Sequence, residues 1–270
     1  MPIITISRGS YSKGKEVAER VAERLGYECI SREILVEASD HFNIPEIKLV
    51  RALHDAPSIL ERFTYGKEKY LAYIESAFLD RVQHDNVVYH GLAGHFFLRD
   101  VGHVLKVRIL ADIEDRVRLE MEREQISREQ ALFILKKDDQ ERRQWSIRLF
   151  GADSWDPSLY DLVIHVKKIT IDDAVDTVCR TAQLGQFRTT MESRNSLNDL
   201  VMAARVKAEL IDMCPNVRVT GQDGTIHVDT DARAIEAPKL ATRLKRLAKK
   251  VPGVKEVRIE VGPMVTFFSD

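Results

Sequence analysis

The order of apolar and polar residues at the start of the chain predicts a strand, a turn and a helix. Residues 3–6 form a short apolar run rich in β-branched side chains, as in a buried strand. Gly, Ser and Lys dominate the next segment, 8–14, which is typical of a turn. Apolar residues then recur every fourth position from Val17 to Leu25, and Gly26 supplies a helix stop signal.

Strand and helix patterns continue to alternate up to about residue 184. Ser127 and Gln130 carry the capping-box pattern of a helix start. We therefore expect an α/β fold, with a mostly parallel sheet flanked by helices. The further predicted elements are helices over 33–53, 57–83 and 112–125, a helix after Ser127, strands over 86–89, 104–110 and 162–166, and a helix over 171–184.

The pattern changes near residue 185. Residues 185–198 are polar and lack periodicity, which predicts a linker. Beyond it, alternating strands flank Asp223-Gly224, a hairpin turn signal, and give a small α+β unit of order α-β-β-α-β. Its predicted elements are a helix over 198–213, strands around 217–219 and 226–228, a helix with Leu240, Leu244, Leu247 and Val251 on one face, and a strand over 254–261. The predicted domains are residues 1–185 and 198–270, joined by a linker over 186–197.

Composition narrows the class of protein. The chain has 41 Lys and Arg residues and 42 Asp and Glu residues, a net charge of −1, so it is not a polycation that coats nucleic acid. No apolar run approaches the about 20 residues that span a bilayer, and the N-terminus becomes polar too early for a signal peptide. The 3 widely spaced cysteines argue against a disulfide framework. We expect a cytoplasmic protein without a membrane span.

Residues 9–16 carry the pattern of a phosphate-binding loop. Gly9-Ser10-Tyr11-Ser12-Lys13-Gly14-Lys15 has the glycine and lysine spacing of a P-loop, and Glu16 stands where a hydroxyl residue is usual. Glycines let backbone N–H groups turn toward a phosphate, and a helix N-terminus adds a partial positive charge. Lys15 would neutralise the phosphates of bound ATP. A surface loop rich in Gly, Ser and Lys is the other interpretation.

These residues resemble the cytidylate kinase-like family of P-loop nucleotide kinases. That family often has Gly-Gly-Arg-Glu where this chain has Lys13-Gly14-Lys15-Glu16. The resemblance covers about residues 1–185 and implies a nucleoside monophosphate kinase-type fold with a mobile lid. The segments similar to the family's lid helix and following strand are Lys136-Lys137-Asp138-Asp139-Gln140-Glu141-Arg142, Arg148-Leu149-Phe150-Gly151, Asp156-Pro157 and Tyr160-Asp161-Leu162-Val163-Ile164.

The predicted lid helix concentrates charged residues that phosphoryl transfer can use. Asp139 and Arg142 are three residues apart and can pair on one helix face, with Lys136 and Arg143 nearby. The resemblance implies that Arg142 reaches the transferred phosphate and that Asp139 holds it while the lid is open. The candidate catalytic residues are thus Lys15, Asp139, Arg142 and Arg143. A solvated charged helix face is the alternative.

The acceptor side departs from the family pattern. The family's Asp before Lys/Arg-Glu-Ile is Ser31 here, although Arg32 could still contact an acceptor phosphate. Leu92 replaces the arginine of a family Gly-Arg-Gly segment. Arg108 and Arg116 are further candidates for substrate binding. Each is as well explained as an ordinary surface or ion-paired arginine.

Metal binding has few candidate ligands. No acidic residue ends the strand at 86–89 in the position of a Walker B aspartate. Mg²⁺ would rest on phosphates, on waters and on Ser10, Ser12 or Glu16, because this ion keeps most of its waters. His90 and His95 lack metal-ligand spacing, so we interpret them as loop histidines and assign no protein metal site.

The C-terminal residues resemble the BON domain, a small module found in bacterial proteins, over 199–265. That family is linked to phospholipid or other hydrophobic ligands, which implies a lipid-like or small ligand and a regulatory role here. Basic residues from Lys239 to Lys250 could face anionic lipid or nucleic acid, but we favour the solvated face of an amphipathic helix. The segments that carry the resemblance are Val217-Arg218-Val219, Asp223-Gly224 before Ile226-His227-Val228, and Val251-Pro252-Gly253-Val254-Lys255-Glu256-Val257.

The sequence thus predicts an ATP-dependent phosphotransferase that uses Mg²⁺ and acts on a nucleoside monophosphate or a similar small acceptor. A ligand on the BON-like domain would modulate it. The alternative is a nucleotide-binding sensor without turnover, which Ser31, Leu92 and the missing Walker B acid favour. Nucleic acid is not expected as a partner, and a homodimer is left open.

Overall fold

A five-stranded sheet with only parallel strands lies at the centre of the N-terminal part of the chain. The computed structural model describes residues 2–9, 13–31, 33–46, 67–232 and 236–263. The strands are β1 (Ile3–Arg8), β2 (Glu28–Ile30), β3 (Val87–His90), β4 (Val104–Ala111) and β5 (Leu162–Val166), in the order β2-β3-β1-β4-β5. The α/β class is confirmed.

Helices cover both faces of this sheet, which explains why its central strands are apolar throughout. Ile4 in β1 pairs with Val88 of β3 on one side and with Leu105 of β4 on the other, and all three are fully buried. The helices in the described part of this region are α1 (Gly14–Leu25), α2 (Glu33–Phe42), α3 (Lys67–Val82), α4 (Gly94–Phe97), α5 (Ile113–Glu124), α6 (Arg128–Phe150) and α7 (Ile171–Ala182).

The predicted helix boundaries have local causes in the structure. Gly26 ends α1 with φ +67°, a left-handed conformation that costs glycine little. Ser127 and Gln130 form the predicted capping box, in which the Ser127 hydroxyl accepts from the Gln130 N–H and the Gln130 amide oxygen accepts from the Ser127 N–H. The pattern did not predict the three-residue strand β2. The parts of the two predicted helices that fall on 47–66 lie outside the described residues.

A second, three-stranded sheet follows in the predicted α-β-β-α-β order. Asp223 and Gly224 make the predicted hairpin turn with φ of 51° and 84°. The strands lie in the order β6-β7-β8, antiparallel between the first two and parallel between the last two. The elements are α8 (Met191–Leu210), β6 (Arg218–Gln222), β7 (Thr225–Ala232), α9 (Ala237–Ala248) and β8 (Glu256–Pro263).

The structure differs from the predicted linker over 186–197, because α8 begins at Met191. Thr190 and Ser193 cap this helix reciprocally, each hydroxyl accepting from the backbone N–H of the other residue. Leu197 is fully buried in the same apolar cluster as Phe78 of α3, a helix that covers the parallel sheet. The second half of the predicted linker is therefore a packed helix. The division into two domains stays a prediction.

Helix α3 has apolar contacts on two sides, and α8 lies along it. Arg205 Nε donates to Asp80 Oδ1 at 2.7 Å, and Lys207 Nζ lies 3.0 Å from Glu75 Oε2. Tyr73 of α3 belongs to the apolar cluster of the C-terminal sheet. The two sheets therefore share α3 as a common support. None of the helices among the described residues is long and apolar enough to cross a membrane.

Replacing Leu197 with alanine tests whether the start of α8 is part of the core. We expect Leu197→Ala to lower the free energy of unfolding by about 2–5 kcal/mol, because it leaves a cavity beside Phe78. The control is Leu184→Ala, the same change at a side chain that is 51% exposed, with an expected effect of about 0.5 kcal/mol. Urea denaturation of the full chain measures both. Equal small effects would restore the linker interpretation.

Candidate functional site

A cavity of about 280 Å³ opens where the carboxyl ends of β1, β3 and β4 meet. The strand order reverses at β1, since the chain runs to the edge strand β2, returns to β3 beside β1, and then crosses to β4 and β5 on the other side. Ligands of open α/β sheets bind outside the carboxyl ends of the strands at such a point. The charged groups that line the cavity are Arg8, Arg108, Arg116, Arg142 and Asp139.

The end of β1 and the following Gly9 form one wall. Lys13 has φ +60° just before α1, and its carbonyl accepts from the Val17 N–H at 3.1 Å. Gly14 lies against β1, since a Cβ on it would come 2.7 Å from the Cβ of Arg8. Gly9 lines the cavity beside Arg116 and Asp139. The remaining predicted loop residues, Ser10, Tyr11 and Ser12, lie outside the described residues.

The structure does not bring Lys15 into this cavity. Its ammonium lies 3.6 Å from Glu19 Oε1, one turn along α1, and its side chain is 62% exposed. Glu16 lies in the same turn, 4.0 Å from Arg20. Exposed ion pairs of this kind contribute at most about 1 kcal/mol, so Lys15 can leave Glu19 at little cost.

Asp139 of α6 pairs with Arg116 of α5, and the predicted pairing with Arg142 is wrong. Arg116 Nη2 donates to Asp139 Oδ2 at 2.7 Å, and both side chains are mostly buried. The pair links α5 to α6, so the spacing of charged residues within one helix could not predict it. Arg142 lines the cavity, and no described residue forms an ion pair or hydrogen bond with its side chain.

Arg108 lies on the floor of the cavity in a network of neutral groups. Its Nη1 donates to the Ser154 carbonyl and, at 3.0 Å, to the Tyr160 hydroxyl. The Tyr160 hydroxyl also lies 3.3 Å from Ser7 Oγ and 3.3 Å from His95 Nε2. Burial, and then the charge of Arg108, lowers the pKa of His95 to about 3, so this imidazole is neutral at pH 7.

Arg143 faces the segment after α6 and does not line the cavity. Its Nε and Nη2 donate to Asp153 Oδ2 at 2.9 and 2.7 Å, and its guanidinium lies 4.5 Å from the ring centre of Trp155. The bond from Arg143 lowers the pKa of Asp153. Since Trp155 does line the cavity, Arg143 supports one of its walls.

The acceptor side is described only in part. Arg32 lies outside the described residues. The Glu33 carboxylate accepts from the Ser31 N–H at 2.7 Å, and backbone bonds from Glu33 itself and from Ser31 lower its pKa. His90 and His95 are not loop histidines, since they lie buried at the end of β3 and in α4.

A second cavity of about 400 Å³ lies at the carboxyl ends of β4 and β5. Lys13 and Glu16 line it together with the segment between β5 and α7, including Lys167 and Thr170. Lys13 and Glu16 thus line a second cavity, at the ends of β4 and β5, and not the arginine-lined cavity.

Several residues of the site were missed by the sequence reasoning. Ser7, His95, Trp145, Ser154 and Trp155 line the cavity. Trp145 lies three residues after Arg142, and this helical spacing is the signal that could have placed it on the same face of α6. The segment 154–155 reaches the cavity only through tertiary packing, and no local pattern marks it.

The sheet, the loop before α1 and the arginine-lined cavity define a P-loop kinase-like α/β protein. Residues 3–168 match the sequence model of the cytidylate kinase-like family, and the chain belongs to that family. The family assignment supports a phosphotransferase of the nucleotide kinase type. No curated protein matches the chain.

Solved structures with similar folds include an uncharacterized protein from Eubacterium ventriosum. It is 23% identical over 67% of this chain and 98% of its own, with a TM-score of 0.52, which shows the fold alone. Shikimate kinase from Bacteroides thetaiotaomicron is 11% identical over 68% of this chain and 99% of its own, with a TM-score of 0.41. Dephospho-CoA kinase from Campylobacter jejuni is 13% identical over 67% and 97%, with a TM-score of 0.37.

The close approach of Gly14 to β1 predicts that this position tolerates no side chain. We expect Gly14→Ala to lower the free energy of unfolding by about 1–3 kcal/mol, because the added Cβ meets the Cβ of Arg8 near the backbone. Gly185→Ala is the control, since no neighbouring atom lies within 4 Å of a Cβ there. Thermal melts and calorimetric titration with AMP-PNP check stability and binding. A Gly14→Ala protein that matches wild type in both would refute the close approach.

Proposed function

We propose that this chain is an ATP-dependent phosphotransferase that acts on a nucleoside monophosphate or a similar small anionic acceptor. The observation that carries the proposal is the charge of the cavity, which four arginines and one aspartate line at the carboxyl ends of the sheet. Such a cavity favours polyanions, and fixed positive groups stabilise a phosphoryl group in transfer. Membership of the cytidylate kinase-like family supports the same function.

The proposed reaction moves the γ-phosphoryl group of ATP to an acceptor oxygen. The bond from the γ-phosphorus to the β–γ bridging oxygen breaks and ADP leaves with the electron pair. An ionised oxygen of the anionic acceptor supplies the electron pair of the new bond to phosphorus, so no proton has to be removed from it. Residues 9–16, with Ser10, Tyr11, Ser12, Lys13 and Lys15, would hold the phosphates. The cavity beside Lys13 and Glu16 offers room for the rest of the nucleotide.

The arginines divide the remaining work. Arg142 would contact the transferred phosphoryl group, because it lines the cavity and no described residue pairs with it. Arg116, held by Asp139, would orient bound phosphates, and Arg143 would position the Trp155 wall. Arg108 and Arg32 would bind the acceptor.

Mg²⁺ would find few protein ligands at this site. The described residues hold no cluster of three or more His, Cys, Asp or Glu side chains suited to a metal. Glu16 is a carboxylate beside the loop, and Mg²⁺ retains most of its waters when it binds to nucleotide phosphates. When bound, the ion would neutralise phosphate charge, and Ser10 and Ser12 are the other candidate ligands.

An acceptor screen combined with two substitutions tests the proposal. ADP release from ATP–Mg²⁺ is followed across nucleoside monophosphates, nucleosides and small metabolites. We expect Lys15→Ala to weaken AMP-PNP binding by about tenfold. Arg142→Ala should lower kcat by about 100-fold with less effect on nucleotide affinity, because its charge acts mainly in the transition state.

The control for Arg142 is Arg148→Ala, which removes an exposed arginine from the same helix outside this cavity. It should leave kcat within about twofold, as expected of a surface substitution. If Arg142→Ala lowers affinity and kcat equally, or neither, its catalytic role is refuted.

A sensor that binds nucleotide without turnover is the second candidate function. Leu92 lines the cavity where the family commonly has arginine, and β3 ends in His90 without an acidic residue. This candidate replaces the first if AMP-PNP binds and no acceptor in the screen supports turnover.

We further propose that the C-terminal unit is a BON-like module whose ligand modulates nucleotide binding. The support is its element order, α-β-β-α-β, and its packing along α3. Because coupling between two sites is reciprocal, a ligand and the nucleotide must change each other's affinity by the same factor.

Short-chain phosphatidylglycerol below its micelle concentration is a suitable probe. We expect it to change the Kd of AMP-PNP for the full chain by about 5-fold or more, and AMP-PNP to change the lipid Kd equally. Calorimetry measures both constants. Lipid binding without any effect on the nucleotide Kd would leave the module a separate binding unit, and no lipid binding would remove the lipid proposal.

A further inference from the structure

Arg108 carries a buried charge without a carboxylate partner among the described residues. It lies on β4, in the interior of the parallel sheet, and is 8% exposed. Its Nη1 group donates to two neutral acceptors, the Ser154 carbonyl and the Tyr160 hydroxyl. The described residues supply no acceptor to its Nε or Nη2 group.

Arg116 shows how the same fold treats a buried guanidinium that is paired. It is also 8% exposed and lines the same cavity, but Asp139 lies 2.7 Å away and balances its charge. Taking an arginine out of water without a counter-ion is costly, so buried charges are paired or bind a ligand. Of these two buried arginines, only Arg108 has no carboxylate counter-ion among the described residues.

The groups around Arg108 are polar and uncharged. Tyr160 places its ring 5.4 Å from the guanidinium, and its hydroxyl also donates to the Ser154 carbonyl at 2.9 Å. Ser7 Oγ and His95 Nε2 lie 3.3 Å from that hydroxyl, and the lowered pKa of His95 keeps its ring neutral. The net charge of this group is therefore positive. The nearby Asp153 carboxylate is bound by Arg143.

We propose that Arg108 and Ser7, which both line the cavity, form an oxyanion subsite on its floor, and that it binds a carboxylate or phosphate group of the acceptor. Tyr160 does not line the cavity and acts as a positioning residue that holds the Arg108 guanidinium. The identification of the bound anion as the phosphate acceptor rests on the proposed function, whereas the anion-binding subsite itself does not. A planar guanidinium held by Tyr160 and Ser154 presents its remaining N–H groups in the fork that suits two oxygens of one anion. The acceptor class is then a compact molecule with an oxyanion of its own.

Equilibrium binding of two probes to the full chain tests the subsite. Inorganic phosphate and malonate are titrated separately at one fixed ionic strength, so that screening of the arginines stays constant. The variants are Arg108→Met, which removes the charge at similar volume, and Arg108→Lys, which keeps the charge without the fork. Arg180→Met is the matched control, because it removes an exposed arginine on α7 away from the cavity.

We expect at least one probe to bind wild type and Arg180→Met equally, and Arg108→Met at least about tenfold more weakly, the loss of a charge-assisted bond. Arg108→Lys should bind the probe with an affinity between those of wild type and Arg108→Met. This variant keeps the test decisive if Arg108→Met does not fold. Phosphate binding alone identifies a phosphate acceptor group, and malonate binding alone a carboxylate. Failure of both probes with wild type, or equal binding by wild type and a folded Arg108 variant, overturns the subsite.

A separate titration with AMP-PNP distinguishes this inference from the proposed function. The nucleotide Kd should change less than about twofold in Arg108→Met, because Arg108 lines the arginine cavity and not the second cavity, beside Lys13 and Glu16, that we propose for the rest of the nucleotide. If wild type binds no AMP-PNP but still binds the probe through Arg108, the subsite stands and the phosphotransferase falls. If AMP-PNP affinity falls as much as probe affinity, Arg108 belongs to the nucleotide site and the subsite is refuted.

Discussion

Positive charge gathered at one end of a buried parallel sheet is the constraint on which the rest of this structure depends. The strand order brings the ends of β1, β3 and β4 together, and Arg8 and Arg108 come from two of those strands. Mutual repulsion of guanidinium groups opposes this arrangement. The fold offsets it by packing α5 against α6, which forms the pair of Arg116 and Asp139. Arg108 and Arg142, which have no carboxylate partner among the described residues, support our proposal that the cavity binds anions.

A second buried ionic group, around Asp85, ties helix α8 to that sheet. Asp85, just before β3, accepts from His103 at 3.1 Å and from Thr189 at 2.9 Å, and Arg194 of α8 also donates to it. Burial alone would raise the pKa of Asp85, but these bonds and the charge of Arg194 lower it. The start of α8 is therefore held by charge as well as by the burial of Leu197.

This attachment gives the proposed modulation a physical route. Phe96 lines the arginine cavity and stacks on Phe150, with ring centres 4.4 Å apart. Both rings also line a cleft that Ile211 and Val217 of the C-terminal unit border. A shift of that unit against α3 would act on a wall of the cavity and on the end of α6.

Local patterns predicted most of the fold, since capping boxes, glycine stops and apolar periodicity depend on neighbouring residues. Strand β2 was missed because three residues carry too little periodicity. The start of α8 was missed because Thr190 and Ser193 read as a polar linker, while the burial of Leu197 depends on a distant helix. Motifs and the family resemblance drew attention to Gly9, Asp139 and Arg142, which line the cavity, and also to Lys15 and Arg143, which do not. Their partners were not predicted, because pairs such as Arg116 and Asp139 are set by tertiary packing.

Asp139 pairs with Arg116 and not with Arg142 as predicted, and this difference bears on the choice between an enzyme and a sensor. A lid arginine held by Asp139 would have to break an ion pair before it reached a phosphate, and the broken pair would oppose closure. In the structure Asp139 is committed to Arg116, which joins the lid helix to α5. Arg142, one turn further on, lines the cavity without a partner among the described residues. Its contact with a transferred phosphoryl group would therefore break no ion pair with a described residue, and this supports the catalytic role that we propose.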